Sequence, residues 1–325
     1  MEFVDKIKIW LNAARPKTLT ASLSPVIVAI ALAYSKGVIN IPLSLLCIGV
    51  ALFAQIASNY ANDYFDFRNG IDNAERKGPE RAVVNGWVTA KQMLVASLIA
   101  VSLAVICGLG IICMTKWWLI FVGIAVVLCV YAYSAGPYPL SSNGLGDVAV
   151  MLFYGIIPVC GTIYVLTGNV TFSGFLLSLS MGFVATNILI VNNYRDYETD
   201  MASGKKTSIV IYGKVFGEML YIVCAAFALI TAVLAFCITD STAQVIVAEG
   251  EKLLSVIGLG EDSVVNIFKS TKLWLVVFVV EFAVLQYVAY RDLKRLKGKE
   301  LNTVLALTAR NVLIWAILLS ILLVM

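Results

Sequence analysis

The sequence predicts a polytopic membrane protein built from nine apolar helices. Two observations carry that fold class. The chain of 325 residues is 60% hydrophobic and only 14% charged, with a mean hydropathy of +0.90, whereas a soluble domain is about a quarter charged. Nine apolar segments are also long enough to cross a hydrocarbon core, which takes about 20 residues of helix.

The elements follow in order. Phe3, Val4, Ile7, Trp10 and Leu11 fall at helical spacing with Lys6 and Lys8 between them, so residues 1–17 read as a helix lying on the membrane surface. The first span, 18–36, follows this charged lead and runs on into a bundle without a clear cleavage site, unlike a signal peptide. Further spans are expected at 41–61, 91–114, 117–135, 147–167, 173–193, 214–238, 273–290 and 303–324. Residues 239–272 read as a long extracytoplasmic connection with apolar patches. The whole chain, 1–325, is expected to be one transmembrane domain.

Charge orients these spans. With the N-terminus in the cytoplasm, 19 of the 24 basic residues fall on the cytoplasmic side, and only Lys36, Lys116, Lys252, Lys269 and Lys272 fall opposite. The net charge of +4 is scattered over loops and forms no stripe for nucleic acid, so the expected partner surface is the lipid bilayer. The chain has no His, which removes the commonest general base and transition-metal ligand. Its seven Cys all lie in apolar runs, form no CxxC pair and read as packing residues.

Two acidic clusters stand out at the ends of apolar segments. Asn59, Asn62, Asp63 and Asp66 fall at i, i+3, i+4 and i+7, one helical stripe, and Gln55 extends it into the apolar span. Asn192, Asp196 and Asp200 repeat the stripe at i, i+4 and i+8. The two Asp pairs lie 133 residues apart, each before a Gly, consistent with two similar half-bundles. A single Asp at a helix end is ordinarily just solvated. A polar stripe running back among apolar residues is different, because lipid penalises it and a cavity does not.

Both clusters fall on the expected cytoplasmic face, flanked by cations. Mg²⁺ takes one or two carboxylates, several waters and phosphate oxygens, so such a site suits Mg²⁺ and a phosphorylated ligand. Arg76, Lys77, Arg81, Lys205 and Lys206 would add cationic contacts to its oxygens, although positive-inside topology accounts for each base equally well. Arg81, in Gly78-Pro79-Glu80-Arg81, is the strongest candidate among them. A cation transporter is the competing class; it would place its acidic groups near the bilayer midplane rather than at the rim. Two motif matches are rejected. Gly204-Lys205-Lys206-Thr207 resembles the end of a P-loop, but Thr199 stands where its first Gly belongs. Gly144-Leu145-Gly146 with Ala149 fits a loose dinucleotide pattern but lies between two spans.

Asn62-Asp63-x-x-Asp66 with downstream Asp72, paired with Asp196-x-x-x-Asp200 and the Gly204–Thr207 run, resembles the UbiA superfamily of intramembrane prenyltransferases. Supporting matches run along nearly the whole chain: Arg15-Pro16-Lys17-Thr18-Leu19, Gly70-x-Asp72, Gly78-Pro79-x-Arg81, Gly144-Leu145-Gly146-Asp147, Asn192-Asn193-x-Arg195-Asp196, Leu301-Asn302 and Thr308-Ala309-Arg310. The Gly70-x-Asp72 spacing favours the branch acting on 1,4-dihydroxy-2-naphthoate in menaquinone biosynthesis over the 4-hydroxybenzoate branch. Loop 136–146 departs from the pattern by carrying no Lys or Arg, and the 239–272 connection is unusually long.

The resemblance implies an all-α bundle of nine transmembrane helices around a central cavity in a bacterial inner membrane. A polyprenyl diphosphate would bind there through Mg²⁺, with its tail on the apolar wall. It implies Asp63, Asp66, Asp196 and Asp200 as metal ligands, supported by Asn59, Asn62 and Asp72. Asn192, Asn193 and Arg195 become candidates for the acceptor's hydroxyls and carboxylate. Tyr131 and Tyr133 either shield an allylic cation with their π faces or belong to an interfacial aromatic belt. Without His, the proton acceptor is a carboxylate, a phosphate oxygen or water.

Overall fold

A computed structural model describes residues 3–70, 78, 80–254 and 262–325, with side chains except at 3–6, 17, 238–254 and 262–272. In order, the helices are α1 (Phe3–Ala13), α2 (Pro16–Ser35), α3 (Ile41–Arg68), α4 (Ala90–Met114) and α5 (Leu119–Ala132). Next, α6 (Gly146–Met151) continues through a π turn (Leu152–Ile156) into α7 (Ile157–Thr167). Then come α8 (Phe172–Arg195), α9 (Tyr197–Ala202), α10 (Ser208–Tyr212), α11 (Lys214–Leu254), α12 (Asp262–Arg295) and α13 (Leu301–Val324).

Among the described residues, 8 helical stretches are long and apolar enough to span a bilayer, and α5 is a ninth, shorter apolar helix. The expected span 117–135 is trimmed at both ends. Trp117 and Trp118 form a turn before α5, and Tyr133 to Ala135 leave it through turn hydrogen bonds to Cys129 and Tyr131 carbonyls. At 14 residues α5 is about 21 Å long, shorter than the hydrocarbon core. Conversely, α3 outruns its expected end at 61 and reaches Arg68, so the whole first acidic stripe is helical. Helix is also the backbone of 239–254 and 262–272, where α11 and α12 extend beyond their spans into the expected connection; residues 255–261 lie outside the described residues.

Local chemistry sets the helix starts. Asn40, Thr171 and Thr207 each accept a backbone N–H of the first turn through a side-chain oxygen, at 3.1, 3.3 and 3.2 Å. Thr89 and Gln92 form a reciprocal capping box before α4. These caps satisfy N–H groups that lipid could not.

Helices pack in pairs, α3 along α4, α8 along α11 and α2 along α13. Small residues allow the close approach that drives packing in lipid. Ala228, Ala232 and Ala235 line one buried face of α11. Gly155 and Gly182 meet where the π turn crosses α8: a Cβ on Gly155 would lie 2.5 Å from the Gly182 Cα. Behind this crossing, Phe282 stacks on Trp315 at 4.2 Å between centroids, and the indole N–H donates to Ser180 Oγ at 2.9 Å. The bundle thus leaves a cavity on one side, between α2, α3, α4, α5, α7 and α8.

Candidate active site

The final turns of α3 carry their polar stripe on a buried face. Asn59, Asp63 and Asp66 are 4%, 1% and 3% exposed. Carboxylates so deeply buried need charge partners, and two arginines supply them. Arg81 sits in the turn before α4, fixed because its neighbours Ala82 and Val83 join a packed cluster with Tyr60 and Met93. Its guanidinium bonds Asp63, lies 3.7 Å from Asp66, and donates to Asn62 Oδ1 at 2.8 Å. Arg15 approaches from the α1–α2 junction and donates to Asn62 Oδ1 at 3.0 Å and Asp63 Oδ1 at 3.3 Å. It is the one non-glycine residue with positive φ among the described residues, at φ 53 and ψ 70. That left-handed conformation is strained for a side chain with a Cβ. Asn59 ties the same junction down by donating to the Ala14 carbonyl at 2.8 Å and Thr18 Oγ1 at 3.2 Å.

The second cluster forms where α8 breaks into α9, with Asp196 as the hinge residue. Arg195 is 1% exposed. Its Nε and Nη2 donate to the two oxygens of Asp196 at 2.8 and 2.6 Å, a bidentate pair. Its remaining N–H groups reach Asn192 at 2.9 Å and Asn302, at the start of α13, at 2.8 Å. Lys205 lies 3.8 Å from Asp200.

Both clusters open into one cavity of about 700 Å³. Asn59, Asn62, Asp66, Arg81, Asn192, Asn193, Asp196, Asp200 and Lys205 line its polar end. Asp63 does not line it; the carboxylate lies behind, anchoring both arginines. Arg195 likewise sits behind Asp196. Tyr133 lines the cavity, whereas Tyr131 packs against Ala57, Ala100 and Val101 instead. Lys206 is exposed at the surface, and its backbone N–H donates to the Ser142 carbonyl at 3.0 Å. That bond brings the 205–206 loop against the base-free loop 136–146, and Lys205 of that loop lines the cavity. Asp72, Arg76 and Lys77 lie outside the described residues. The far end of the cavity is apolar and runs down to Val26, Cys47, Ile111 and Val165.

Arg15, Gln55, Tyr154 and Ser141 also line the cavity, though composition and spacing single out only Gln55 among them. Arg15 carries a sequence signal only as part of its Pro-containing motif; its distance of 47 residues from Asn62 hides the contact.

The donor set fits a hard cation. It consists of carboxylate and amide oxygens, and no group of three or more His, Cys, Asp or Glu converges on one point among the described residues. A cage of many protein ligands is therefore not built here. One or two carboxylates per ion, completed by water and phosphate oxygens, is the coordination Mg²⁺ prefers.

Comparison with known proteins supplies the family. Residues 22–248 match the UbiA prenyltransferase family. The chain is 34% identical over 218 residues to the 1,4-dihydroxy-2-naphthoate octaprenyltransferase of Escherichia coli (strain K12), covering 65% of this chain and 71% of that protein. It is 32% identical over 225 residues to the enzyme of the same name from Haemophilus influenzae, covering 67% and 73%. Among solved structures, a UbiA homolog from Archaeoglobus fulgidus bound to DMAPP and Mg²⁺ shares the fold, with a TM-score of 0.62, 13% identity, and 96% and 99% of the two chains covered. An apolar bundle with two carboxylate clusters over one cavity thus has a family: the chain is an integral membrane protein of the UbiA prenyltransferase family.

Proposed function

We propose that this protein transfers a polyprenyl group from an allylic polyprenyl diphosphate to 1,4-dihydroxy-2-naphthoate. The products are demethylmenaquinol, diphosphate and CO₂. One observation carries the reading: a single cavity joins two carboxylate clusters at its polar end to a long apolar chamber. That shape matches a ligand with a diphosphate head and an isoprenoid tail. The names of the relatives support the acceptor.

Asp66, Asp196 and Asp200, on the cavity wall, would hold Mg²⁺, with Asp63 behind them. Bound there, Mg²⁺ neutralises charge on the departing diphosphate. Arg81 and Lys205 face the same space and contact the phosphate oxygens. Asn59 and Asn62 support this end, and Asp72, Arg76 and Lys77 belong to the segment that follows it in the chain. Asn192 and Asn193 offer hydrogen bonds to the acceptor's hydroxyls and Arg15 is the cation for its carboxylate, while Arg195, behind the wall, acts by holding Asp196 and Asn192 in place. Tyr133 presents a ring to the cavity. A 1,4-dihydroxylated ring is electron-rich enough to attack an allylic cation without a strong protein base, and loss of its carboxyl as CO₂ restores aromaticity. That chemistry suits a chain without His.

The reading places the whole chain in one domain of a bacterial inner membrane, with α1 on the cytoplasmic surface and 239–272 outside. The carboxylate end faces the cytoplasm, where the soluble acceptor is made. Cysteine labelling with an impermeant reagent in intact cells, in a background lacking native Cys, checks this: Asn169→Cys labels and Ser203→Cys does not. The decisive assay uses purified protein, Mg²⁺, a polyprenyl diphosphate and carboxyl-labelled acceptors. Release of labelled CO₂ from the naphthoate with equimolar diphosphate is the expected result. Prenylation of 4-hydroxybenzoate with its carboxyl retained, and none of the naphthoate, overturns the acceptor. Ion flux without diphosphate release overturns the enzyme.

A further inference from the structure

We propose that the ring of Tyr154 faces the allylic cation of the donor, and that Gln55 is the positioning residue that holds it there. The inference rests on the prenyl diphosphate reading above.

The first observation is backbone geometry. Tyr154 lies in the π turn that interrupts the span Gly146–Thr167. Such a turn inserts one residue into the helical register, re-aims the side chains around it, and recurs at functional sites. Here the crossing with α8 accommodates it only through glycine on both sides. A Cβ on Gly155 would lie 2.5 Å from the Gly182 Cα and 2.7 Å from the Ser178 carbonyl oxygen, and a Cβ on Gly182 would lie 2.4 Å from Met151 Sδ. The turn delivers the Tyr154 side chain onto the cavity wall.

The second observation is how the ring is fixed. Its hydroxyl donates to Gln55 Oε1 on α3, 99 residues away. Gln55 is 6% exposed, and its Nε2 donates to Asn59 Oδ1 at 3.2 Å. Asn59 in turn donates to the Ala14 carbonyl at 2.8 Å. The ring is therefore tethered through α3 to the α1–α2 junction. A phenol that donates its proton keeps electron density on oxygen and in the ring, which deepens the negative face a cation meets.

The third observation is depth. Gln55 precedes Asn62 by two helical turns on α3, so at about 1.5 Å per residue it lies about 10 Å below the head of the site. A diphosphate held at Asn62 and Asp66 extends its first isoprene unit toward that level. In the reaction the C1–O bond breaks and its electron pair leaves with the diphosphate. The positive charge spreads over C1 and C3 until the acceptor's ring carbon closes the new C–C bond. Tyr154 gains and loses nothing; it lowers the energy of the charged state and excludes water from it.

The test uses the full-length protein with Mg²⁺, a polyprenyl diphosphate and the naphthoate. Tyr154 is replaced by phenylalanine and then by phenylalanines with one, two and three ring fluorines, which weaken the ring face at nearly constant shape. The expected result is a stepwise fall in kcat of about tenfold across the series, with the KM for the donor within about twofold. The share of donor captured by water as polyprenyl alcohol rises in parallel. Tyr154→Leu lowers kcat by about 30-fold on the same basis; the near-isosteric fluorinated series keeps the test sharp if that variant folds poorly. Gln55→Leu leaves the ring untethered and raises the alcohol share. A flat fluorine series in an otherwise active enzyme overturns the inference and leaves the donor reading intact. A wild-type protein that releases no diphosphate from the donor overturns both.

Discussion

The two carboxylate clusters are similar in sequence and different in construction. Asp63 and Asp66 receive their cations from far along the chain: Arg81 is 18 residues from Asp63 and Arg15 is 48. Asp196 receives its cation from the adjacent residue, Arg195, whose far end is fixed by Asn302. The first cluster is therefore complete only when the α1–α2 junction and the 80–88 turn have docked. The second forms with the end of α8 itself and is then locked to α13. A site assembled from one long-range half and one local half depends on the bundle's closure for the first and on a helix terminus for the second.

The largest effects belong to the carboxylates common to both halves. Asp66→Asn, Asp196→Asn and Asp200→Asn remove charge from the cavity wall, and each should lower kcat by about 10³-fold or more without unfolding the protein. Asp63→Asn should fall by about 10²-fold, because its carboxylate acts by holding Arg15 and Arg81. EDTA should abolish turnover in the wild type. Full activity in EDTA, or in two of the wall variants, would remove the metal assignment from both halves.

Next come the arginines, where the halves should diverge. Arg81→Met and Arg195→Met each leave a buried carboxylate short of its cation, a loss of about 3–5 kcal/mol for a pair this deeply buried. Both should lower the thermal midpoint in detergent. Only Arg81→Met should also expose the 80–88 turn to limited proteolysis, since that turn is pinned by Arg81 on one side and the Ala82–Val83 cluster on the other. Equal protection in the two variants would mean the turn docks without its ion pair.

The local half offers a sharper measurement. Arg195 bonds Asn302 at 2.8 Å, so a double-mutant cycle of Arg195→Met and Asn302→Ala should show coupling of about 1 kcal/mol or more in stability. Arg81→Met with Asn302→Ala should be additive within about 0.5 kcal/mol. Coupling in the second pair would show that the halves communicate through the cavity.

Much of this was legible in the sequence because membranes simplify the problem. Apolar length fixes the spans, and a carboxylate on an otherwise apolar stripe has to face a cavity. Gln55, Asn59, Asn62 and Asp66 follow from helical period alone. The same period separates Asp63 from the wall only by a fraction of a turn, too little to assign from sequence. Tyr131 and Tyr133 are two residues apart and face different sides, so only one reaches the cavity. The π turn is invisible because 148–167 carries no charged residue and fits an unbroken apolar helix. Arg15 was hidden by its left-handed backbone and by a contact spanning 47 residues.

The smallest expected effect distinguishes two neighbouring lysines. Lys205 lines the cavity and is 3.8 Å from Asp200, with its side chain 12% exposed. At that distance the pair is loose, so its removal should cost little stability. Its use would be as a positive charge near phosphate oxygens, which matters for holding the donor rather than for ionising it. Lys205→Met should therefore raise the KM for the donor about fivefold, leave kcat within about twofold, and make that KM less sensitive to salt. Lys206 is exposed, and it meets loop 136–146 through its backbone, with its N–H on the Ser142 carbonyl, which any residue but proline provides. Lys206→Met should then be close to silent in both parameters. If Lys206→Met raises KM and Lys205→Met does not, the loop presents the other lysine to the donor, and the cation opposite loop 136–146 has to be reassigned.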